Sequence, residues 1–237
     1  MKYLSTRNNS LKKSFNEILY QGLSKDGGLY LPVDWPIINI DSLEDKSYED
    51  VAAEIIFPFV KENFSKSELQ NILNESYVNF RHEKKAPIKK LQTNKYILEL
   101  IYGPTYAFKD YALQFLGKLF SNSLDVNPRK LTVLGATSGD TGSAAIHAFK
   151  TNQDINVFIL HPHGKVSPIQ QKQMTTIDEE NIFNIAIEGN FDDCQNIVKT
   201  LFVDDEIQSR TSLTAINSIN WARLIAQVVY YFWSHLQ

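Results

Sequence analysis

Between residues 96 and 216 short apolar runs alternate with longer stretches of helical period, and that alternation leaves few folds open. The runs are Tyr96–Ile101, Leu131–Leu134, Val157–Leu160, Phe183–Ile187 and Ser212–Ile216. Between them lie amphipathic stripes: Ala112, Phe115, Leu116, Leu119 and Phe120; Ala144, Ala145 and Ala148; Cys194, Ile197, Val198, Leu201 and Phe202. Apolar residues three and four apart mark one buried helix face, whereas runs of four to six suit strands. Strands separated by helices pair in parallel, with helices covering both faces, so the expected class is α/β. In such sheets ligands gather where strands run out into helix starts. The loops after those strands are therefore where function is to be sought.

The first 85 residues read differently. Ser14 with Glu17, Ser47 with Asp50, and Ser65 with Glu68 each place a hydroxyl three residues before a carboxylate, the sign of a helix start. Gly22 is placed to close the first helix, and Pro58 to disturb the second near its end. We expect two regions: a mainly helical segment, 1–85, and an α/β region, 86–237, with a smaller domain at about 125–217. With 24 Lys+Arg against 27 Asp+Glu the net charge is −3, which offers no general field for nucleic acid or an anionic membrane. The stretch Leu224–Trp233 is too short to span a bilayer and carries Gln227. The single Cys194 suits a reducing compartment, and no signal peptide is visible, so a cytoplasmic protein is expected.

Three loops carry candidate chemistry. In Gly103–Asp110, Lys109 stands at the expected positive end of a helix. Positive potential and partial burial beside Tyr106 and Phe108 favour the neutral amine, the form that attacks an aldehyde to make a Schiff base. The plain alternative is a surface lysine paired with Asp110. In Gly135–Ser143, three of the chain's 10 glycines permit tight turning, and free amides at a helix start suit a carboxylate or phosphate. The pattern is neither a Walker A loop, which needs Gly-Lys-Ser/Thr, nor a dinucleotide fingerprint, nor a nucleophile elbow; a well-capped helix is the alternative. In Asn217–Arg223, leading into the last helix, Asn220, Arg223 and Gln227 share a face that either meets a ligand's anion or faces water. His161 and His163 lack an Asp, Glu or Cys at ligand spacing, so no metal site is expected. Lys165 is a candidate anion contact.

Together and in this order the segments resemble threonine synthases, which are fold-type-II pyridoxal-phosphate enzymes. Those segments are Tyr3–Arg7, Asp26–Pro32, GPTYAFKD (Gly103–Asp110), GATSGDTGSAA (Gly135–Ala145), HGKVSPIQ (His163–Gln170), GNFDDC (Gly189–Cys194) and NSINWAR (Asn217–Arg223). The resemblance implies a tryptophan-synthase-β-like, three-layer parallel sheet with a helical N-terminal subdomain. It implies pyridoxal 5'-phosphate carried by Lys109, with Asp140 near the cofactor. It also implies a substrate grip formed by Ser138, Gly139, Asp140 and Thr141, joined by Asn217, Ser218, Asn220, Arg223 and Lys165. The implied reaction converts O-phospho-L-homoserine and water to L-threonine and phosphate. The alternatives are another fold-type-II lyase, such as a serine/threonine dehydratase or phospholyase, or a silent fragment. Members of the family are much longer, and their cofactor-phosphate loop lies beyond the NSIN segment. We therefore expect a truncated chain lacking the C-terminal part of the fold, impaired in turnover, with Val229, Tyr230, Phe232 and Trp233 left uncovered.

Overall fold

The computed structural model describes residues 1–10, 12–22, 24–126, 130–216 and 220–237. Strands β1 (Tyr3–Ser5), β2 (Lys12–Lys13) and β3 (Tyr30–Pro32) form a small antiparallel sheet in the order β2-β1-β3. Helix α1 (Phe15–Gln21) opens with the expected reciprocal cap. The Ser14 hydroxyl accepts from the Glu17 amide, and the Glu17 carboxylate accepts from the Ser14 amide at 2.8 Å. Gly22 closes it at φ +64°. Helices α2 (Tyr48–Val60) and α3 (Lys66–Tyr77) start at Ser47 and Ser65, as their spacing predicts. Pro58 sits within the last turn of α2, where it offers no N–H to the carbonyl four residues back, and the helix ends two residues later.

The run at 96–101 does not join the parallel sheet. Strands β4 (Ile88–Gln92) and β5 (Lys95–Leu98) pair antiparallel through a turn in which Asn94 takes φ +60°. Lys89, Lys90, Gln92 and Lys95 are exposed on this ribbon. A strand carrying charge on both faces cannot lie between two helical layers without burying it. The ribbon therefore stays at the surface.

The parallel sheet comes next. Helix α4 (Lys109–Val126) precedes β6 (Leu131–Ala136), α5 (Asp140–Phe149), β7 (Ile155–Pro162), α6 (Pro168–Thr175), β8 (Ile182–Ile187), α7 (Phe191–Val203), α8 (Asp205–Arg210), β9 (Leu213–Ala215) and α9 (Trp221–His235). The four strands are all parallel, in the order β8-β7-β6-β9. Alternation along the strands builds the layers. Val133, Val157 and Ile159 face the main core with Phe120 of α4 and Ala144 and Phe149 of α5, whereas Leu134 and Leu160 face Cys194 of α7. Strand order turns back at β6, with β7 on one side and β9 on the other. The loop after β6 thus occupies the position where open α/β sheets bind ligands.

The expectation that α9 lacks partners is corrected. Val229, Tyr230 and Trp233 are buried and Phe232 is half-buried; of the large apolar side chains of α9 only Tyr231 is exposed, at 65%. Trp233 meets Tyr48 edge-on at 5.5 Å, and Tyr230 meets Tyr111 at 6.0 Å. Helices α2 and α4 supply the groove that covers α9. Among the described residues no helix is long and apolar enough to cross a membrane.

Candidate active site

Lys109 is the first residue of α4, and the loop before it is fixed at several points. Asp110 turns inward and is fully buried, accepting from the Thr105 amide at 2.7 Å and the Thr105 hydroxyl at 2.9 Å. Burial pushes the Asp110 carboxyl above the usual carboxylate range, and the Thr105 hydrogen bonds pull against that rise. Gly103 has to be glycine, because a Cβ there would overlap the Asp110 side chain. The Arg81 guanidinium lies 3.6 Å from the centre of the Tyr106 ring and donates to the Gly103 carbonyl. Gln173 of α6 donates to the Thr105 carbonyl at 3.1 Å. Held this way, Tyr106 adopts φ +61°, a strained value for an aromatic residue.

The Lys109 amine points away from Asp110. Its Nζ lies 3.4 Å from Asp140 Oδ2 and 4.5 Å from the centre of the Phe108 ring, with the side chain 20% exposed. The lysine therefore pairs across 31 residues of sequence with the other glycine-bearing loop, not with its neighbour.

That second loop turns about Thr137. The Thr137 hydroxyl is buried and accepts from the amides of Gly139, at 3.0 Å, and Gly142, at 2.9 Å. Gly139 takes φ +145°, which L side chains rarely adopt, and a Cβ there would overlap the Gln170 amide oxygen. It caps α5 with no side-chain bond, so the Asp140 and Thr141 amides open the helix without intrahelical partners. Ser138 is exposed, while Asp140 and Thr141 are half-buried. The two loops and α6 enclose a cleft of about 600 Å³ lined by Thr105, Tyr106, Phe108, Asp140, Ile169 and Gln170. Of the Lys109–Asp140 pair only Asp140 lines this cleft, with the amine 3.4 Å from its carboxylate. An amine and a carboxylate at a cleft edge, beside free helix-start amides, can capture a carbonyl compound that also bears an anionic group.

The remaining candidates lie elsewhere. Lys165 is exposed beyond the end of β7, outside the cleft lining, and its amide donates to the Pro162 carbonyl at 3.2 Å. Asn217 and Ser218 lie outside the described residues. Asn220 is fully buried: it donates to the Leu19 carbonyl at 2.9 Å and accepts from the Ala222 amide at 3.0 Å, capping α9. Arg223 is also buried, donates to the Ile216 carbonyl at 2.6 Å, and has its guanidinium pushed down to about 10 by desolvation. Neither of these faces is solvated. Both side chains bind the start of α9 to backbone from elsewhere in the fold.

Sequence reasoning passed over Gln170, Gln173, Asp110 and Arg81. The signal for the glutamines was their spacing of three on one helical face, in a segment whose chemistry looked generic. Cys194 is buried against Leu134 and Leu160, and burial raises its thiol, which suits an inert cysteine.

Residues 2–77 match the family model described as threonine synthase N terminus. The chain is 47% identical to a threonine synthase of Eremothecium gossypii over 99% of its own length, and 45% identical to one of Pseudomonas aeruginosa over all of it. It superposes at a TM-score of 0.94 on the pyridoxal-phosphate-bound threonine synthase of Brucella melitensis, at 45% identity. The match is to threonine synthases. Alignment covers 100% of this chain against 52% of the Brucella structure, and 49% and 51% of the two relatives. The chain thus spans about half the length of the threonine synthases it matches, with their α/β fold over that half.

Proposed function

We propose that this chain carries the lysine side of a pyridoxal 5'-phosphate site serving the threonine synthase reaction, in which O-phospho-L-homoserine and water give L-threonine and phosphate. The observation that carries the reading is the meeting of Lys109 with Asp140 at 3.4 Å, because it brings the two resembling loops to one cleft. The cleft's size lies within the range that takes small-molecule ligands, and Asp140 is part of its lining. Lys109 would hold the cofactor through its amine, with Asp140 beside it. When bound, the cofactor supplies an electron sink that makes the substrate's α-hydrogen removable.

In this reading Lys109 Nζ removes the substrate α-proton, and loss of a β-proton expels phosphate from the γ-carbon. Protonation at the γ-carbon with water addition at the β-carbon gives threonine, Lys109 serving as base and acid. The amides that open α5, with Ser138 and Thr141, hold the substrate carboxylate, aided by the positive end of the helix. The Phe108 ring covers one side of the amine, its centre 4.5 Å from Nζ. Asn220 and Arg223 act by holding the start of α9 in place; for Lys165, Asn217 and Ser218 the anion contact rests on the resemblance alone. Residues 1–85 brace α4 from behind, as the Tyr77 hydroxyl donates to the Tyr111 carbonyl at 2.9 Å, while 86–237 carry the cleft. The chemistry belongs to the cytoplasm. Because the relatives are about twice as long, turnover by these 237 residues alone is expected to be impaired.

Incubation with pyridoxal phosphate, borohydride reduction and peptide mass spectrometry tests the assignment. The label should fall on Lys109, and Lys109→Ala should abolish both the label and the near-visible absorbance. Labelling of another lysine, or absorbance retained in the variant, overturns it. Product analysis with phosphohomoserine against serine or threonine separates the reaction from that of a dehydratase.

A further inference from the structure

Helix α6 reaches across the cleft with two glutamines three residues apart, and each grips a different loop. Gln173 holds the Thr105 carbonyl in the loop that carries Lys109. Gln170 donates through Nε2 to Asp140 Oδ1, while the opposite oxygen, Oδ2, faces the Lys109 amine. The Gln170 amide cannot turn over without loss, because its Oε1 accepts from the Ser167 hydroxyl at 3.0 Å, and Ser167 in turn caps α6. Gly139 leaves room for the amide to lie directly over the turn that opens α5.

We infer that Gln170 is a positioning residue for Lys109, acting through Asp140. The reasoning deepens the function proposed above and rests on it for the importance of the amine. The Asp140 side chain is 41% exposed, so left alone its carboxylate would rotate among positions that face water. A charge-assisted bond to Oδ1 fixes the carboxylate plane and aims Oδ2 at Nζ. An amine engaged as an ammonium lacks the lone pair that attacks an aldehyde. Gln170 therefore keeps Lys109 paired and placed until a ligand entering the cleft displaces Asp140. A residue in the cleft lining that touches both Asp140 and the Gly139 turn is well placed to feel that entry.

The test reads the amine itself, without the cofactor. Formaldehyde condenses with a free amine, releasing water, and cyanoborohydride delivers hydride to the resulting imine carbon. The methylation rate of Lys109, divided by that of the exposed Lys165 in the same sample, is followed by peptide mass spectrometry. Asp140→Asn should raise this ratio about threefold, the scale of a half-exposed ion pair. Gln170→Met, equal in length but without a donor, should raise it to a similar extent, and Gln170→Leu should do the same. The double variant Asp140→Asn/Gln170→Met should go no further than Asp140→Asn alone. A role in stability alone would lower the melting temperature and leave the ratio unchanged, which overturns the inference, as do independent effects that multiply in the double variant. If wild-type Lys109 takes up no pyridoxal phosphate, the proposed function fails while the ratio still reports on Gln170.

Discussion

Gly139→Ala isolates what the glycine turn contributes. The backbone there sits at φ +145°, so an alanine must either adopt a conformation closed to L residues or distort the start of α5. Strain of that kind costs about 1–3 kcal/mol. The new methyl also meets the Gln170 amide, the far end of a side chain that can swing aside, so the steric part is cheap to relieve. Relief, however, breaks the bond from Gln170 to Asp140, a charge-assisted contact that is partly exposed and contributes about 1 kcal/mol. The sum is about 2–4 kcal/mol. For a chain of this size about 2 kcal/mol lowers the melting temperature by roughly 4–8 °C. Differential scanning calorimetry, with urea titration as a second measure, reads the loss. Gly142→Ala is the comparison: a Cβ there meets Thr137, Met174 and Ile159 at 2.6–2.9 Å, but the backbone is helical and needs no positive φ. Gly142→Ala should therefore lose stability by crowding Thr137 and Met174 without positive-φ strain, and Gly139→Ala should raise the Lys109 to Lys165 methylation ratio with Gln170→Met. A Gly139→Ala protein that melts with wild type and keeps its ratio would refute the account of the turn.

Two further outcomes follow from packing and charge. Trp233→Ala should remove about 3–5 kcal/mol of stability, because the ring is 8% exposed and packs edge-on against Tyr48; a urea midpoint within experimental error of wild type would show that α9 is not docked as described. Glu17 is held down to about 2, first by its Lys13 partner and then by the Ser14 amide. Because its folded value lies below its unfolded one, its contribution is present above about pH 4.5 and disappears as pH falls toward 2. Screening at this exposed site limits it to about 0.5–1 kcal/mol. Glu17→Gln should therefore be less stable than wild type at pH 7 and equal to it near pH 2 in urea melts, and a gap that persists in acid would contradict the cap.

The caps at Ser14, Ser47 and Ser65, the buried stripe of α4 and the placement of Lys109 at a helix start were all legible in the chain. Each depends on residues within one or two turns of one another, where spacing alone decides which atoms meet. The run at 96–101 misled because its apolar residues were read apart from the lysines that precede them. Asn220 and Arg223 misled for a different reason: their helical spacing shows that they share a face, but not whether that face meets ligand, water or buried backbone.

Local order in the sequence was enough to determine an α/β chain with a glycine turn and a lysine at two of its helix starts, since hydrogen bonding and burial along one helix or strand repeat with a fixed period. Only the tertiary structure decided that Lys109 faces Asp140 while Asp110 turns inward, that α6 lays Gln170 over Gly139, and that α9 finds cover between α2 and α4. The Asp110 turn is a local contact with Thr105, but the others join residues about 30 to 185 positions apart, and they are settled by how whole layers pack against each other, a quantity no stretch of neighbouring residues contains.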